Sequence, residues 1–171
     1  MNQLLELPQP ATRPYLMRFR RQPAITGRIL IADDDATVRA SLAEVLESEG
    51  YDVAEARNGI EAVTCAIEQK VALVLLDLNM PHWDGWTAFT QLDRVTPLLP
   101  VIVITARPNQ YQRAVHLGVD AFMEKPLDFP VLLSAISSLV SEDVSARVKR
   151  ITSRLFISRL LTGPVLPPQI A

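Results

Sequence analysis

Five polar residues of this chain, each following a short apolar run, have side chains suited to binding cations or anions. Asp33 and Asp34 follow one run, and Asp77, Thr105 and Lys125 each follow another. Adjacent carboxylates repel each other unless a cation neutralises them, and Mg²⁺ prefers such hard oxygen ligands. The Asp77 carboxylate could then attack phosphorus, because bound cations offset the charge between it and a phosphoryl group. The Thr105 hydroxyl and the Lys125 ammonium would complete the charge neutralisation.

The apolar runs alternate with longer amphipathic stretches from residue 28 onward, and this alternation predicts repeated strand–helix units. The predicted strands are 28–32, 52–56, 71–76, 100–104 and 121–124, and the predicted helices are 36–49, 59–69, 85–95, 109–117 and 129–140. We therefore expect an α/β fold, a doubly wound five-stranded parallel sheet with helices on both faces. The carboxyl ends of parallel strands share one edge, so the five polar side chains should converge on one crevice.

Both ends of the chain differ from this regular middle, which we predict to be a single domain over 28–141. Residues 1–27 contain four prolines without sustained periodicity, which predicts an irregular leader. Residues 142–171 predict a basic amphipathic helical tail with a disordered end, and its apolar stripe consists of Val144, Val148, Ile151 and Leu155. Because a short helix is marginal alone, the stripe should pack on the domain, a partner, a membrane or a second copy; we favour a possible homodimer through the tail.

Charge is unevenly distributed and restricts the possible functions. Residues 29–141 hold 7 Lys/Arg and 16 Asp/Glu (7 − 16 = −9), whereas residues 1–28 (5 − 1 = +4) and 142–171 (5 − 2 = +3) are basic. An acidic middle argues against nucleic acid as the main partner, and we predict no DNA-binding domain. The single Cys65 cannot form an internal disulfide, and we find neither a secretory signal nor a transmembrane segment. These features predict a cytoplasmic protein.

Two other interpretations of the acidic residues compete with a metal site. Asp33, Asp34 and Asp35 could simply cap the following helix, since aspartate favours that position. The pattern Asp33-x-Asp35-x-Thr37 also resembles haloacid-dehalogenase-like phosphatases, in which the first Asp is the nucleophile and the second a general acid. That alternative leaves Asp77 and the Asn-Met-Pro turn after it unexplained.

The motifs together resemble a two-component response-regulator receiver domain of the chemotaxis type, over roughly residues 28–141. The matching segments are Ile-Ala-Asp33-Asp34, Leu-Leu-Asp77-Leu-Asn79-Met-Pro81-x-x-Asp84-Gly85, Val-Ile-Thr105-Ala106 and Lys125-Pro126, in the family's order.

This resemblance implies a signalling module, not an enzyme acting on other molecules, that assists only its own phosphorylation and dephosphorylation. It implies that Asp77 is the phosphoacceptor, receiving its phosphoryl group from a histidine kinase or phosphotransfer protein. Mg²⁺ would be bound by Asp33, Asp34, Asp77 and the main-chain carbonyl of Asn79, with Thr105 and Lys125 contacting the phosphoryl group. Phe122 matches the switch aromatic, which is more often Tyr. Asn79 and Arg107 occupy positions that tune phosphoryl lifetime in the family.

Overall fold

A computed structural model describes residues 27–153 and 157–162, which form one parallel sheet with helices on both faces. The strands are β1 Arg28–Ala32, β2 Asp52–Ala56, β3 Val71–Asp77, β4 Val101–Thr105, β5 Ala121–Glu124 and β6 Arg159–Leu160. The helices are α1 Ala36–Ser48, α2 Gly59–Glu68, α3 Gly85–Val95, α4 Tyr111–Leu117, α5 Phe129–Val140 and α6 Val144–Thr152. The strand order is β2-β1-β3-β4-β5-β6, so the predicted doubly wound architecture is confirmed.

The sheet separates two apolar layers, because successive strand residues point to opposite faces. Leu30, Val74 and Val103 face the layer built with α2, α3 and α4. Ile29 and Leu75 face the layer built with α1 and α5. Covering both faces explains why β3 and β4 are nearly continuous runs of apolar residues, and it holds their polar ends rigidly at one edge.

The sheet differs from the prediction in having a sixth strand, formed by the tail. Arg159 pairs with Ala121 and Leu160 pairs with Phe122, both in parallel register on the outer side of β5. The prediction of five strands was wrong because a two-residue strand has no periodicity to detect. Only the open edge of β5, brought close by the fold, gives this segment its partner.

The tail helix α6 forms within the predicted segment, but its buried side chain is a charged one. Arg147 is buried, whereas Val144 and Val148 of the predicted apolar stripe are exposed. Ile151 is partly buried, and Leu155 lies outside the described residues. The buried arginine follows from an acidic partner beneath the helix, Asp120, which the sequence pattern does not reveal.

The predicted irregular leader, apart from Gly27, and the predicted disordered end from residue 163 also lie outside the described residues. Within the described part, no single helix has both the length and the apolar character needed to cross a membrane. The helices α5 and α6 meet these criteria only as a pair, and they are bent by 106° at their junction.

Candidate functional site

Three carboxylates converge where β1 and β3 end. Asp77 is the last residue of β3, and Asp33 and Asp34 follow β1 directly. One carboxylate oxygen of each lies within 4.8 Å of the others, with Asp33 and Asp77 buried and Asp34 exposed. This donor set fits Mg²⁺, which takes a few carboxylates and keeps several waters, because the exposed Asp34 leaves one side open to solvent.

Lys125 places its ammonium against two of these carboxylates from the end of β5. Its Nζ donates a hydrogen bond to Asp33 Oδ2 at 2.9 Å and lies 3.2 Å from Asp77 Oδ1. The second approach is an ion-pair distance without hydrogen-bond geometry, so Asp77 Oδ1 is a buried oxygen with no hydrogen-bond partner among the described residues. Asp77 Oδ2 accepts a 2.5 Å bond from the Asn79 amide. Such an unsatisfied buried oxygen fits an incoming cation or reactant.

The pKa values of Asp77 and Lys125 are shifted by burial and by their charged neighbours. Burial raises the pKa of Asp77 above its ordinary value, and the negative charge of Asp33 adds to this increase, despite the opposing charge of Lys125. Burial alone would lower the pKa of Lys125, but the hydrogen bond to Asp33 and the charge of Asp77 outweigh it and raise that pKa. Lys125 therefore stays protonated. The ionised form of Asp77 is disfavoured by burial and by the charge of Asp33, and added positive charge would stabilise it.

The N-terminus of α1 uses one of the three adjacent acids, Asp35, as its cap. Asp35 caps α1, its side chain accepting bonds from the amides of Thr37 and Val38. The capping interpretation therefore holds for Asp35, leaving Asp33 and Asp34 available for a metal. Because Asp35 is exposed and committed to the helix end, its proposed role as a general acid in a phosphatase lacks geometric support.

The turn after β3 ends at Gly85, where the backbone packs closely against the backbone of Asp77 and Leu78. Asp84 caps α3 by accepting from the Thr87 amide at 2.9 Å. A Cβ on the next residue, Gly85, would overlap the Asp77 carbonyl oxygen and lie 2.7 Å from Leu78 Cα. The tight approach that only glycine allows brings the start of α3 against the acid that ends β3.

Three residues on β4, β5 and α4 lie between the acidic site and the tail, namely Thr105, Phe122 and Tyr111. Thr105 is buried, and its hydroxyl accepts a 3.0 Å bond from the Arg107 amide. Phe122 is buried on the adjacent strand, with its ring 5.9 Å from that of Tyr111. The Tyr111 hydroxyl donates to the carbonyl of Ser158 at 2.9 Å. The Tyr111 side chain therefore contacts both the Phe122 ring and the residue that precedes the tail strand.

Asn79 and Arg107 meet at the mouth of the site, where the Arg107 guanidinium donates to the Asn79 side-chain oxygen. The motifs place both residues near the site, but they do not predict this bond between two different loops. Asn79 is exposed, so this hydrogen bond lies at the protein surface. Its contact with Asp77 runs through its own amide.

Arg39 on α1 is a site residue that sequence reasoning missed. It is buried, donates to the Asp33 carbonyl at 2.8 Å and pairs with Glu55 at 2.9 Å. It therefore secures the backbone that carries the first acid. The available signal was its position one turn before Leu42, on the face of α1 that is otherwise apolar.

The family model for the response regulator receiver domain matches residues 29–137. The transcriptional regulatory protein PdtaR of Mycobacterium tuberculosis is 34% identical over 148 residues, covering 80% of this chain and 72% of that protein. The response regulator MprA of a Mycobacterium species is 36% identical over 115 residues, covering 66% of this chain and 50% of the relative. The chain thus spans about half the length of MprA.

Solved structures agree with these sequence matches. The receiver domain described as CheY-like from Methanospirillum hungatei has a TM-score of 0.65 at 26% identity, covering 72% of this chain and 98% of that one. TrrA of Thermotoga maritima, solved in complex with Mg²⁺ and BeF, has a TM-score of 0.62 at 28% identity, covering 66% and 98%. The matches support a phosphoryl-accepting response regulator of two-component systems rather than a haloacid-dehalogenase-like phosphatase. This chain belongs to the response regulator receiver family.

Proposed function

We propose that the chain accepts a phosphoryl group on the Asp77 carboxylate, with Mg²⁺ held by Asp33, Asp34, Asp77 and the main-chain carbonyl of Asn79. The observation that carries this proposal is the convergence of three carboxylates around a buried Asp77 oxygen that has no hydrogen-bond partner among the described residues. When bound, Mg²⁺ would offset the charge between Asp77 and the phosphoryl oxygens. The likeness to TrrA, which was solved in complex with Mg²⁺ and BeF, adds support.

The other residues have roles that follow from their positions. The Lys125 ammonium, 3.2 Å from Asp77 Oδ1, would pair with a phosphoryl oxygen as a bond forms between Asp77 and phosphorus. The bond between phosphorus and the donor breaks in the same transfer, and the donor leaves with the electron pair. The Thr105 hydroxyl would turn from the Arg107 amide to a phosphoryl oxygen, vacating space towards Phe122. The chain would thus assist its own phosphorylation and dephosphorylation as a signalling module.

We propose a histidine kinase or phosphotransfer protein as the donor, in the cytoplasm, with signalling through protein contacts. Support comes from the match to the receiver-domain family. We also propose domain boundaries at 28 and 141, which the family match over residues 29–137 supports. The strand β6 nevertheless extends the sheet of this domain beyond residue 141.

Labelling tests the acceptor directly. Acetyl phosphate with Mg²⁺ should add a single hydroxylamine-labile phosphoryl group, detected by intact mass, and Asp77→Asn should abolish it. Asp35→Asn is the matched control, since asparagine preserves the cap of α1 and labelling should persist. If labelling survives in Asp77→Asn but disappears in Asp33→Asn and Asp35→Asn, Asp77 is not the acceptor. The phosphatase-like alternative, with Asp33 as the nucleophile, would then be favoured.

The proposed homodimer through the tail is supported by one surface. Val144 and Val148 lie one turn apart on α6 and remain exposed in the monomer. Light scattering of the full chain should show a dimer that Val144→Ser with Val148→Ser reduces to monomer. A control pair, Ser145→Ala with Lys149→Ala, changes neighbouring exposed positions and should leave the mass unchanged. A monomeric wild type at all concentrations would end this part of the proposal.

A further inference from the structure

A cavity of about 290 Å³ lies where α6 packs against the domain, and residues of α3 and α4 also line it. We refer to it as the α6 cavity. Four of its lining residues are buried and form its floor, namely Phe89, Val101, Asp120 and Arg147. Val101 is the first residue of β4, whereas Asp77 is the last residue of β3. Because the strands are parallel, the α6 cavity lies at the end of the sheet opposite the acidic cluster.

The walls of the α6 cavity are mostly apolar and come from separate parts of the chain. Leu99 precedes β4, Leu117 ends α4 and Ile151 lies on α6, and all three are partly buried. Two exposed polar residues, Asp93 and Thr152, also line the cavity. Apolar walls with a few polar groups are typical of small-molecule sites, whose volumes begin at about 300 Å³. The volume of the α6 cavity therefore favours a ligand of about one ring.

The floor contains one hydrogen-bond donor that the protein does not use. Arg147 donates through Nη1 and Nη2 to the Asp120 carboxylate, at 2.9 and 3.0 Å, and its side chain is only 7% exposed. Its Nε is buried and has no hydrogen-bond partner among the described residues. A buried donor without an acceptor carries a desolvation cost, which a ligand oxygen would remove.

The charges around this donor indicate which kind of acceptor it can bind. Both oxygens of Asp120 already accept hydrogen bonds, from Arg147, Arg150 and a main-chain amide. Arg147 and Arg150 are balanced by Asp120 and Glu142, so the formal charge of these four is +2 − 2 = 0. Asp93 adds a negative charge to the lining. An anionic ligand would thus meet no net positive charge, whereas an uncharged acceptor avoids repulsion by Asp93.

We propose that the α6 cavity binds a small, uncharged and mostly apolar molecule that carries one strong hydrogen-bond acceptor, such as a ring with a carbonyl group. The carbonyl oxygen accepts a hydrogen bond from Arg147 Nε, and the ring packs against the apolar side chains of α3, α4 and α6. Such a ligand contacts α6 and the domain together, so it stabilises the docked position of the tail helix. The site is independent of phosphoryl transfer at Asp77.

Three probes of nearly the same shape test the ligand class by NMR titration of the isotope-labelled full chain. Acetophenone carries the carbonyl, α-methylstyrene replaces its oxygen with CH₂, and benzoate replaces its methyl group with a charged oxygen. Acetophenone should shift the Arg147 Nε–H signal and the Ile151 amide in a saturable way, with a dissociation constant on the order of 1 mM. Binding of α-methylstyrene should be about tenfold weaker, because one hydrogen bond is lost, and benzoate should also bind more weakly.

Two substitutions that fill the α6 cavity from different helices test its location. Ile151→Trp on α6 and Leu117→Trp on α4 should each abolish the acetophenone shifts. Lys149→Trp is the matched control, because Lys149 is exposed on α6 and does not line the cavity, so binding should persist. Unchanged amide signals of β1 and β3 in each variant show that the fold is intact.

Four results would overturn the proposal. The first is the absence of a saturable acetophenone shift at tenfold the expected dissociation constant. The second is equal binding of acetophenone and α-methylstyrene, which would mean that the Arg147 donor has no part in recognition. The third is tighter binding of benzoate, which would mean that the site selects anions. The fourth is acetophenone binding that persists in both filling variants, which would place its site elsewhere.

Discussion

Two clusters of charged side chains lie at opposite ends of the strands of the sheet and differ in their balance of charge. At the carboxyl ends of the strands, Lys125 pairs with Asp33 and Asp77, and Asp34 lies beside them, so the formal charge of these four residues is +1 − 3 = −2. At the amino edge, four residues balance (+2 − 2 = 0), namely Asp120, Glu142, Arg147 and Arg150.

The two clusters also differ in the hydrogen bonds that their central carboxylates accept. Both oxygens of Asp120 are used, with Oδ2 accepting from the Val101 amide and from Arg147. Asp77 Oδ1 has no hydrogen bond among the described residues. A charge-balanced cluster in which both oxygens of the central carboxylate are bonded fastens α6 to the domain, although Arg147 Nε has no hydrogen-bond partner among the described residues. An unbalanced cluster is suited to binding an added cation. The difference separates a structural use of buried charge from a chemical use.

The largest expected effect comes from removing the central carboxylate of each cluster. Asp120→Asn leaves two arginines without their shared acid and should lower the free energy of unfolding by about 3 kcal/mol. Asp77→Asn removes one of three mutually repelling acids, so it should leave the free energy of unfolding unchanged or raise it. Urea unfolding of both variants in metal-free buffer measures the contrast. Equal losses in the two variants would show that the clusters are energetically alike.

Added Mg²⁺ should sharpen the contrast at the acidic edge alone. At a concentration tenfold above its dissociation constant, a cation that binds only the folded state adds about 1.4 kcal/mol to the free energy of unfolding. Wild type and Asp35→Asn should gain this stability, and Asp33→Asn should lose most of the gain. Thermal unfolding with and without Mg²⁺ tests it, and an equal gain in Asp33→Asn would contradict the metal assignment.

The pH dependence of the two clusters should have opposite signs. The hydrogen bond from Arg150 lowers the pKa of Glu142 below its ordinary 4.5, so its stabilisation is present above pH 4.5 and is lost as pH falls through the lowered pKa. Burial raises the pKa of Asp77 above 3.8, so stability is highest below 3.8 and falls as pH rises through the raised pKa. Without metal, Glu142→Gln should cost about 1 kcal/mol at pH 7, and Asp77→Asn should be stabilising there.

Unfolding curves across the acid range distinguish these signs, since both differences from wild type should shrink at low pH. Glu44→Gln, which changes an exposed acid on α1, serves as the control and should show neither trend. A Glu142→Gln variant that is destabilised equally at every pH would mean that packing, not charge, holds the tail helix.

The smallest expected effect is spectroscopic and concerns the link between the acidic site and the tail. Beryllium fluoride with Mg²⁺ should shift the amides of residues 105–125 in wild type, because Thr105 and Phe122 would rearrange together. In Tyr111→Phe the shifts at 105–122 should persist, while those at 158–161 should diminish with the lost hydrogen bond. Confirmed binding of the anion with unshifted signals at 105–125 would disprove the coupling.

Sequence pattern alone determined the strand–helix alternation and the strand-end positions of Asp33, Asp77, Thr105 and Lys125. These features follow from local rules: apolar runs covered on both faces, turns at fixed points, and strand ends that share an edge. Their order along the chain therefore predicted the convergence, although the chemical roles of these residues remain predictions.

Tertiary structure alone decided which neighbours each charge received. The commitment of Asp35 to the cap of α1, the clamp of Arg39 on Asp33, the burial of Arg147 on Asp120 and the sixth strand all depend on groups brought together by folding. Whether an arginine can be buried depends on whether folding places an acidic partner next to it. An added edge strand forms only where the fold leaves the outer side of another strand unpaired. Hydrophobic periodicity carries no information on either partner, because it records which face of an element is covered and not what covers it.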